Sequence, residues 1–177
     1  EYLVDDYPAV GRMLHDCGAD VVFTGHFHSQ DIARDSTVTD VETGSLVSYP
    51  HPYRVIEVGG DKMSITTHNL RSIKSLAAQG EDLWQKSQKF ARLSVAKMAE
   101  GYLPQNTPPA MRDTIVKVVS DAYLYHLAGD ERPSEDFVKE NRRLAEQVSA
   151  VAPKMASMLD IIVTSLSTDQ APSDNQA

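Results

Sequence analysis

The pattern of apolar and polar residues changes near residue 73. Before this point apolar residues form short runs typical of strands, and after it they recur every third or fourth residue, as in amphipathic helices. A helix is predicted over Pro8–Asp16, with Asp5 and Asp6 as its N-terminal caps. A short buried strand is predicted over Ala19–Thr24, because this apolar run is followed by a glycine.

Further strands are predicted in the same part of the chain. Val38–Val41 and Ser45–Tyr49 contain residue types that favour strands. Tyr53–Val58 and Lys62–Leu70 flank the turn sequence Gly59–Asp61, so these two segments predict a β-hairpin.

The remainder of the chain predicts about four helices, separated by prolines and glycines. The first predicted helix runs over Gly80–Tyr102, and the second over Met111–Tyr125 with a stop at Gly129–Asp130. The third starts at Pro133–Asp136 and runs to Val148, and the fourth runs from Pro153 to Leu166. The serine and the two acidic residues of Pro133–Asp136 suit a helix N-terminus. The expected fold class is therefore α+β, with an all-helical C-terminal region.

These changes of pattern predict three regions. Residues 1–73 combine a helix with strands, residues 74–167 are helical, and residues 168–177 are polar enough to predict a disordered tail. No apolar run approaches the roughly 20 residues that cross a bilayer, so no membrane segment is expected. The single cysteine, Cys17, excludes an internal disulfide framework and is expected to be buried near a helix end.

The charge of the chain also excludes one class of function. The formal net charge is −8, and residues 1–73 carry most of it. Neither half has the basic stripe that neutralises nucleic-acid phosphates, so no nucleic-acid-binding patch is expected. If residues 1–73 act on a phosphorylated substrate, metal ions are expected to supply most of the positive charge.

Two histidines, separated by a single residue, directly follow the strand predicted over Ala19–Thr24 and Gly25. On an extended backbone, His26 and His28 leave from the same face and can each offer a ring nitrogen to a metal. Gly25 removes a side chain where the backbone and a metal site need to approach each other closely. The alternative is two polar residues in an exposed turn, because a Gly-His-x-His pattern is short.

Three segments follow one another in a recognisable order: Gly25–His28, Gly44–Ser45 and Tyr49–Pro50. In this order residues 8–70 resemble the C-terminal end of the catalytic domain of the calcineurin-like metallophosphoesterases. That family ends its domain with a strand, a Gly-His-x-His loop, and strands that carry a Gly-Ser and a Tyr-Pro segment. The resemblance does not extend to the helical region.

The resemblance implies a fold, a reaction and two cofactors. The fold is the C-terminal part of a β-sandwich flanked by helices, and the cofactors are two metal ions, iron, manganese or zinc. His26 is implied as a ligand of the second metal and His28 as a ligand of the first. The metals are implied to hold a phosphomonoester or phosphodiester and to supply the hydroxide that attacks phosphorus.

The family's other motifs, which include Asp-x-His and Gly-Asp-x-x-Asp, precede the Gly-His-x-His loop and are absent from the residues before it here. The N-terminus is therefore interpreted as a cut through a longer protein. The sequence does not determine whether that protein is cytoplasmic or exported. No catalytic residue is assigned in this chain, which is expected to bind metal weakly and to be inactive alone. The expected partners are the missing N-terminal part, a phosphorylated substrate and a second copy of the chain.

His51 and Arg54 are weaker candidates for binding the substrate. The stiff segment Tyr49–Tyr53 holds His51 between two prolines, and Arg54 can bind an anion. The alternative for His51 is a structural turn between strands. The alternative for the whole chain is a non-catalytic helical interaction module with at most one weak metal site. The helical region itself can serve as a cap over the site, an oligomer interface or a packing partner.

Overall fold

The computed structural model describes residues 4–129, 131–151, 153–165, 167–168 and 173–175. Within these residues the chain combines helices with two small sheets, which agrees with the α+β prediction. The strands are β1 (Val21–Thr24), β2 (Asp31–Arg34), β3 (Thr39–Glu42), β4 (Pro52–Gly59) and β5 (Lys62–Asn69). The helices are α1 (Tyr7–Asp16), α2 (Lys74–Ala77), α3 (Leu83–Tyr102), α4 (Pro109–Ala128), α5 (Glu135–Val151) and α6 (Pro153–Ser165).

The first sheet has the strand order β1-β3-β2, with β1 parallel and β2 antiparallel to β3. Strand β1 is an edge strand and is not the buried strand expected from its apolar run, since Phe23 is 56% exposed. Strand β2 was not predicted, because Ile32 is its one large apolar residue and four residues show too little alternation. Opposite residues of β2 and β3 include Asp31 and Glu42.

The second sheet is the hairpin of β4 and β5, as predicted. Its register pairs Gly59 with Lys62 across the turn, where Gly60 has a φ of 62° that suits glycine. Ile65 of this hairpin forms one buried cluster with Ile32 and Val41 of the first sheet. The two sheets therefore share a small apolar core, although Val58 at the turn end stays 77% exposed.

The segment between the sheets differs from the prediction. Ser45–Tyr49 was expected to form a strand, but residues 46–50 form turns and a bend, closed by backbone hydrogen bonds from Ser48 to Ser45 and from His51 to Ser48. The peptide bond between Tyr49 and Pro50 is cis. Alternating residue types cannot distinguish a strand from consecutive turns when the segment is this short.

Local signals placed the start of α5 and the end of α4, whereas α3 begins at Leu83, three residues later than predicted. The Asp82 carboxylate accepts a hydrogen bond from the backbone N–H of Gln85 at the start of α3, and Ser134 accepts one from Phe137 at the start of α5. Gly129 ends α4 with a φ of 69°. At α1 the predicted cap is wrong, because Asp6 makes no side-chain capping bond, and Cys17, which was expected to be buried, is exposed.

Helices α4, α5 and α6 share the largest apolar core. Val118, Leu144, Val148 and Val163 are each at most 1% exposed, and each contributes about 1.5–3 kcal/mol by leaving water. Helix α3 packs on α4 with less burial, and Arg92 of α3 forms an ion pair with Asp121 of α4. None of the described helices is both long enough and apolar enough to span a membrane.

The tail predicted over residues 168–177 lies partly outside the described residues. Of its described part, Asp174 is 2% exposed, and its carboxylate accepts a hydrogen bond from the backbone N–H of Ile32 at 2.8 Å. The carbonyl oxygen of Asn175 accepts a hydrogen bond from Thr67, and its side chain donates one to Ala128. Residues 173–175 therefore contact both sheets and the end of α4.

Candidate functional site

The Gly-His-x-His loop leaves β1 with an unusual backbone. His26 has a φ of 91° and His28 a φ of 67°, values that side chains other than glycine rarely adopt. The loop is not extended, so the alternation of side chains along a strand does not apply to the two histidines. Backbone strain of this kind is often found where a structure holds functional groups in place.

The buried side chain of Gln30 holds this loop to the segment after β3. Its carbonyl oxygen accepts a hydrogen bond from the backbone N–H of Gly44 at 2.6 Å, and its amide nitrogen donates one to Thr67 of β5. Gln30 is 0% exposed, and both ends of its amide are satisfied. One side chain thus connects the histidine loop, the Gly-Ser segment and the hairpin.

Gly44 brings the Gly-Ser segment against the histidine loop. A β-carbon on Gly44 would lie 2.9 Å from the carbonyl oxygen of His28 and 3.0 Å from a ring carbon of Pro52. Only a residue without a side chain permits this approach. The Gly25–His28 and Gly44–Ser45 segments are therefore neighbours in the structure, and Pro52, two residues after the Tyr49–Pro50 segment, lies beside Gly44.

His51 is held in one orientation by its own turn. It is 5% exposed and has a φ of 60°, and its Nδ1 lies 3.1 Å from the carbonyl oxygen of Leu46. Because a carbonyl oxygen only accepts, Nδ1 carries the proton and donates it. Nε2 is buried and has no hydrogen-bond partner among the described residues. A histidine held by its Nδ1 proton with Nε2 left unbonded has the arrangement typical of metal ligands.

His28 and His51 line one cavity of about 570 Å³ between the histidine loop and helices α3 and α4. Phe27 and Tyr49 line it from the sheet side. Tyr49 also meets the ring of Trp84 edge to face, with ring centroids 5.0 Å apart. The cavity therefore lies where the strand-containing part of the chain meets the helical part.

The other two predicted site residues lie apart from this cavity. His26 is exposed and is not among the described residues that line it. The guanidinium of Arg54 donates hydrogen bonds to the carbonyl oxygens of Asp174, Glu42 and Asp31. These contacts join the two sheets to the tail, and the predicted substrate-binding role of Arg54 stays a prediction.

A pair of carboxylates lies beside the Arg54 contacts. Burial raises the pKa of Glu42, and the negative charge of Asp31 opposite it in the sheet raises this pKa further. Burial likewise raises the pKa of Asp31, although part of this residue is open to solvent and a hydrogen bond with Asp174 acts in the opposite direction. Burial also raises the pKa of the Tyr49 hydroxyl.

The described residues do not complete a metal centre. No three His, Cys, Asp or Glu side chains among them lie close enough together to hold an ion. A catalytic zinc site uses three protein ligands and a binuclear site uses more, so His26 and His28 alone do not fit such a group. A complete centre therefore requires further donors from outside the described residues.

Comparison of the sequence with family models and with curated proteins found no match. The resemblance to the metallophosphoesterases therefore rests on the residues of the three motif segments alone.

Two groups of residues at the site were not predicted from the sequence. Gln30 gave no signal, because a polar residue in a loop after a strand is ordinary. Phe27 lies 5.5 Å from the ring of His126 on α4, and His126 Nδ1 lies 3.2 Å from the Glu131 carboxylate. The helical pattern favours a surface or capping role for His126, but the residue is partly buried between the two parts of the chain.

Proposed function

We propose that this chain is the C-terminal part of a metal-dependent phosphoesterase that hydrolyses phosphomonoesters or phosphodiesters. In this proposal it supplies the last strands of a β-sandwich and two metal-binding histidines, His26 and His28. The remaining metal ligands come from a segment that precedes these residues in the complete enzyme.

One observation carries the proposal. His28 belongs to the Gly-His-x-His segment of the family resemblance, His51 directly follows the Tyr49–Pro50 segment, and both line the same cavity. His26, His28 and His51 all have left-handed backbone, which costs about 1–3 kcal/mol each for a side chain other than glycine. Two of these histidines line one cavity and the third, His26, lies two residues before His28, an arrangement that is more easily explained by a site than by turns alone.

The chain's own residues have distinct roles in this proposal. His26 and His28 offer imidazole nitrogens from the loop after β1. His51 lines the cavity with a fixed ring, whose buried Nε2 has no partner among the described residues. To contact the substrate, Arg54 must first release the carbonyl oxygens of Asp174 and Glu42, to which it donates in this structure.

The test uses the longer protein obtained by expressing the chain together with the coding sequence upstream of it. We expect about two metal ions per chain and hydrolysis of p-nitrophenyl phosphate or bis-p-nitrophenyl phosphate. His26→Ala and His28→Ala are each expected to abolish hydrolysis, because each removes a metal ligand. His15→Ala, at an exposed position on α1, is the matched control and should keep full activity.

Two outcomes contradict the proposal. One is an upstream sequence that lacks the Asp-x-His and Gly-Asp-x-x-Asp motifs. The other is activity in both histidine variants equal to that of the His15→Ala control.

A second candidate is a non-catalytic helical interaction module. Helix α3 favours it, because its large apolar residues Phe90, Leu93 and Tyr102 are 72%, 61% and 84% exposed. A contiguous patch of exposed apolar residues, such as Phe90 and Leu93 one turn apart, is typical of surfaces that another protein covers. This candidate predicts association of the 177-residue chain in sedimentation experiments, and loss of that association in a variant with Leu93→Ser and Tyr102→Ser.

A further inference from the structure

Residues 173–175, which we call the tail segment, occupy a slot between the two sheets and the end of α4. Asp174 is 2% exposed, and its carboxylate accepts a hydrogen bond from the backbone N–H of Ile32 at 2.8 Å. The guanidinium of Arg54 donates to the backbone carbonyl oxygen of Asp174 at 2.7 Å. The slot therefore binds both the side chain and the backbone of this residue.

Asn175 extends these contacts to the next residue of the tail segment. Its carbonyl oxygen accepts a hydrogen bond from the backbone N–H of Thr67 on β5 at 2.9 Å, and its side-chain amide donates to the carbonyl oxygen of Ala128 at 3.2 Å. The two partners belong to different elements, the hairpin and α4. The slot thus exists only where these elements have come together.

Gly129 limits the size of the side chain that the slot accepts. A β-carbon on Gly129 would lie 2.9 Å from the β-carbon of Asp174. The Asp174 side chain therefore packs directly on the backbone of Gly129, while Arg54 holds its carbonyl oxygen. A side chain longer by one methylene, as in Glu, must displace one of these neighbours.

The tail segment has no apolar side chain that would favour its burial, because Ser173, Asp174 and Asn175 are all polar. The conformational entropy lost when the segment becomes ordered must therefore be offset by hydrogen bonds and packing that the slot supplies. Binding of this kind depends on the sequence of the segment rather than on apolar area.

The acidic surroundings of the slot still accommodate an aspartate. A hydrogen bond joins the carboxyl groups of Asp31 and Asp174, which requires a proton on one of them. Burial raises the pKa of Asp31, so Asp31 holds this proton and donates it to the Asp174 carboxylate. The Arg54 guanidinium donates to the backbone carbonyls of both residues. The other titratable groups that face Asp31 are those of Asp40, Glu42, His126 and Glu131.

We propose that this slot is a peptide-binding site for the sequence Ser-Asp-Asn. The chain's own tail segment occupies it as a tethered ligand, and the same segment of a second copy of the chain can enter it instead. The tether gives the chain's own segment an effective concentration of about a millimolar, so it competes with other copies. The site adjoins the histidine loop, because a β-carbon on Gly129 would also lie 2.9 Å from the β-carbon of Gln30.

The test uses the 177-residue chain with Asp174→Ala and Asn175→Ala, which removes the side-chain contacts of its own segment. A fluorescein-labelled peptide with the sequence of residues 168–177 should bind this double variant at least about tenfold more tightly than the parent chain. Fluorescence anisotropy gives both affinities in a mildly acidic buffer, in which Asp31 keeps its proton. Equal affinities, or no binding to a folded double variant, would overturn the proposal.

Variants of the peptide test the sequence preference of the slot. Asp174→Ala in the peptide removes the acceptor for the Ile32 N–H, and Asp174→Glu adds a methylene against Gly129. Each should weaken binding at least about tenfold. Thr168→Ala, at an exposed position, is the control and should leave the affinity within about twofold. Equal affinities of all these peptides would refute recognition of the sequence.

Variants of the slot locate the bound peptide. Gly129→Ala, added to the double variant, should weaken the labelled peptide at least about tenfold, because the new methyl group occupies the place of the aspartate side chain. Gly80→Ala has a similar backbone strain, with a φ of 72° and open space around it, and should leave the affinity within about twofold. Equal effects of the two substitutions would place the peptide outside the slot.

The parent chain decides the question if the double variant does not fold. The side-chain amide of Asn175 donates to Ala128, so its NMR signal in the isotope-labelled parent chain reports whether the slot holds the tethered segment. Unlabelled peptide at about ten millimolar should move this signal to the position typical of an unfolded chain. The Asp174→Glu peptide should leave it in place. A signal that neither peptide moves would overturn the proposal.

Discussion

Gly44 packs against the backbone carbonyl of His28, so closely that a β-carbon at residue 44 would lie 2.9 Å from that oxygen. The N–H of Gly44 is held at the same place by the side chain of Gln30. This contact fixes the loop that carries the two candidate metal ligands against the segment that leads to His51. The position of the histidines thus depends on a glycine that has no chemical function itself.

Gly44→Ala is predicted to destabilise the protein by about 1–3 kcal/mol, since the added methyl group must displace the His28 carbonyl or Pro52. Gly59→Ala is the control, because a β-carbon at residue 59 has no atom within 4 Å, and its effect should stay within about 0.5 kcal/mol. Urea denaturation of both variants gives the comparison. A Gly44→Ala variant as stable as Gly59→Ala would mean that the loop adapts without cost.

Gly129→Ala is predicted to weaken the contact between the end of α4, Gln30 and the tail. A β-carbon at residue 129 would lie 2.9 Å from the β-carbons of Asp174 and Gln30. Gly80→Ala controls for backbone strain, because Gly80 has a similar φ of 72° and open space around it. Gly129→Ala should therefore lower the melting temperature more than Gly80→Ala does, and equal shifts would show that only the backbone strain matters.

Arg54→Lys is predicted to destabilise the protein by at least about 1 kcal/mol. A lysine cannot reproduce the planar set of donors that reaches the carbonyl oxygens of Asp174, Glu42 and Asp31. Arg34→Lys, at an exposed position of β2, should have little effect in the same denaturation experiment. Unchanged stability together with weaker phosphate binding would instead support the substrate-binding role predicted from the sequence.

The raised pKa of Glu42 predicts a dependence of stability on pH. The folded protein holds the proton of the Glu42 carboxyl group more tightly than the unfolded chain does. The stability that this proton contributes is therefore fully present below the ordinary pKa of 4.5 and is lost as the pH rises through the higher pKa of the folded state. Glu42→Gln should therefore match the parent protein at acidic pH and be more stable than it at neutral pH.

The matched control for this pH dependence is Glu57→Gln, at an exposed position of β4. Denaturation curves across the pH range should show the same pH dependence of stability for Glu57→Gln as for the parent protein. If the free energies of unfolding of Glu42→Gln and the parent protein differed by the same amount at all pH values, the raised pKa of Glu42 would not be the cause of the difference.

Much of the fold followed from local patterns. The hairpin of β4 and β5 was predicted because two apolar segments flank a glycine-rich turn, and both signals lie within a few residues of each other. The helix ends at Ser134 and Gly129 were predicted because capping involves neighbouring residues only. The same kind of reasoning failed for β2 and for the turns after Ser45, where short segments depend on what they pack against.

The sequence by itself determined the α+β composition, the change to helices after residue 73 and the choice of His26, His28 and His51 as candidates. Only the tertiary structure decided that His28 and His51 share a cavity, that helix α3 forms its apolar wall, and that Arg54 is engaged by backbone carbonyls. The physical reason is that hydrophobic periodicity and capping act between neighbours along the chain. A cavity and its lining depend on contacts between distant segments, such as those of Gln30 with Gly44 and Thr67, which no local pattern contains.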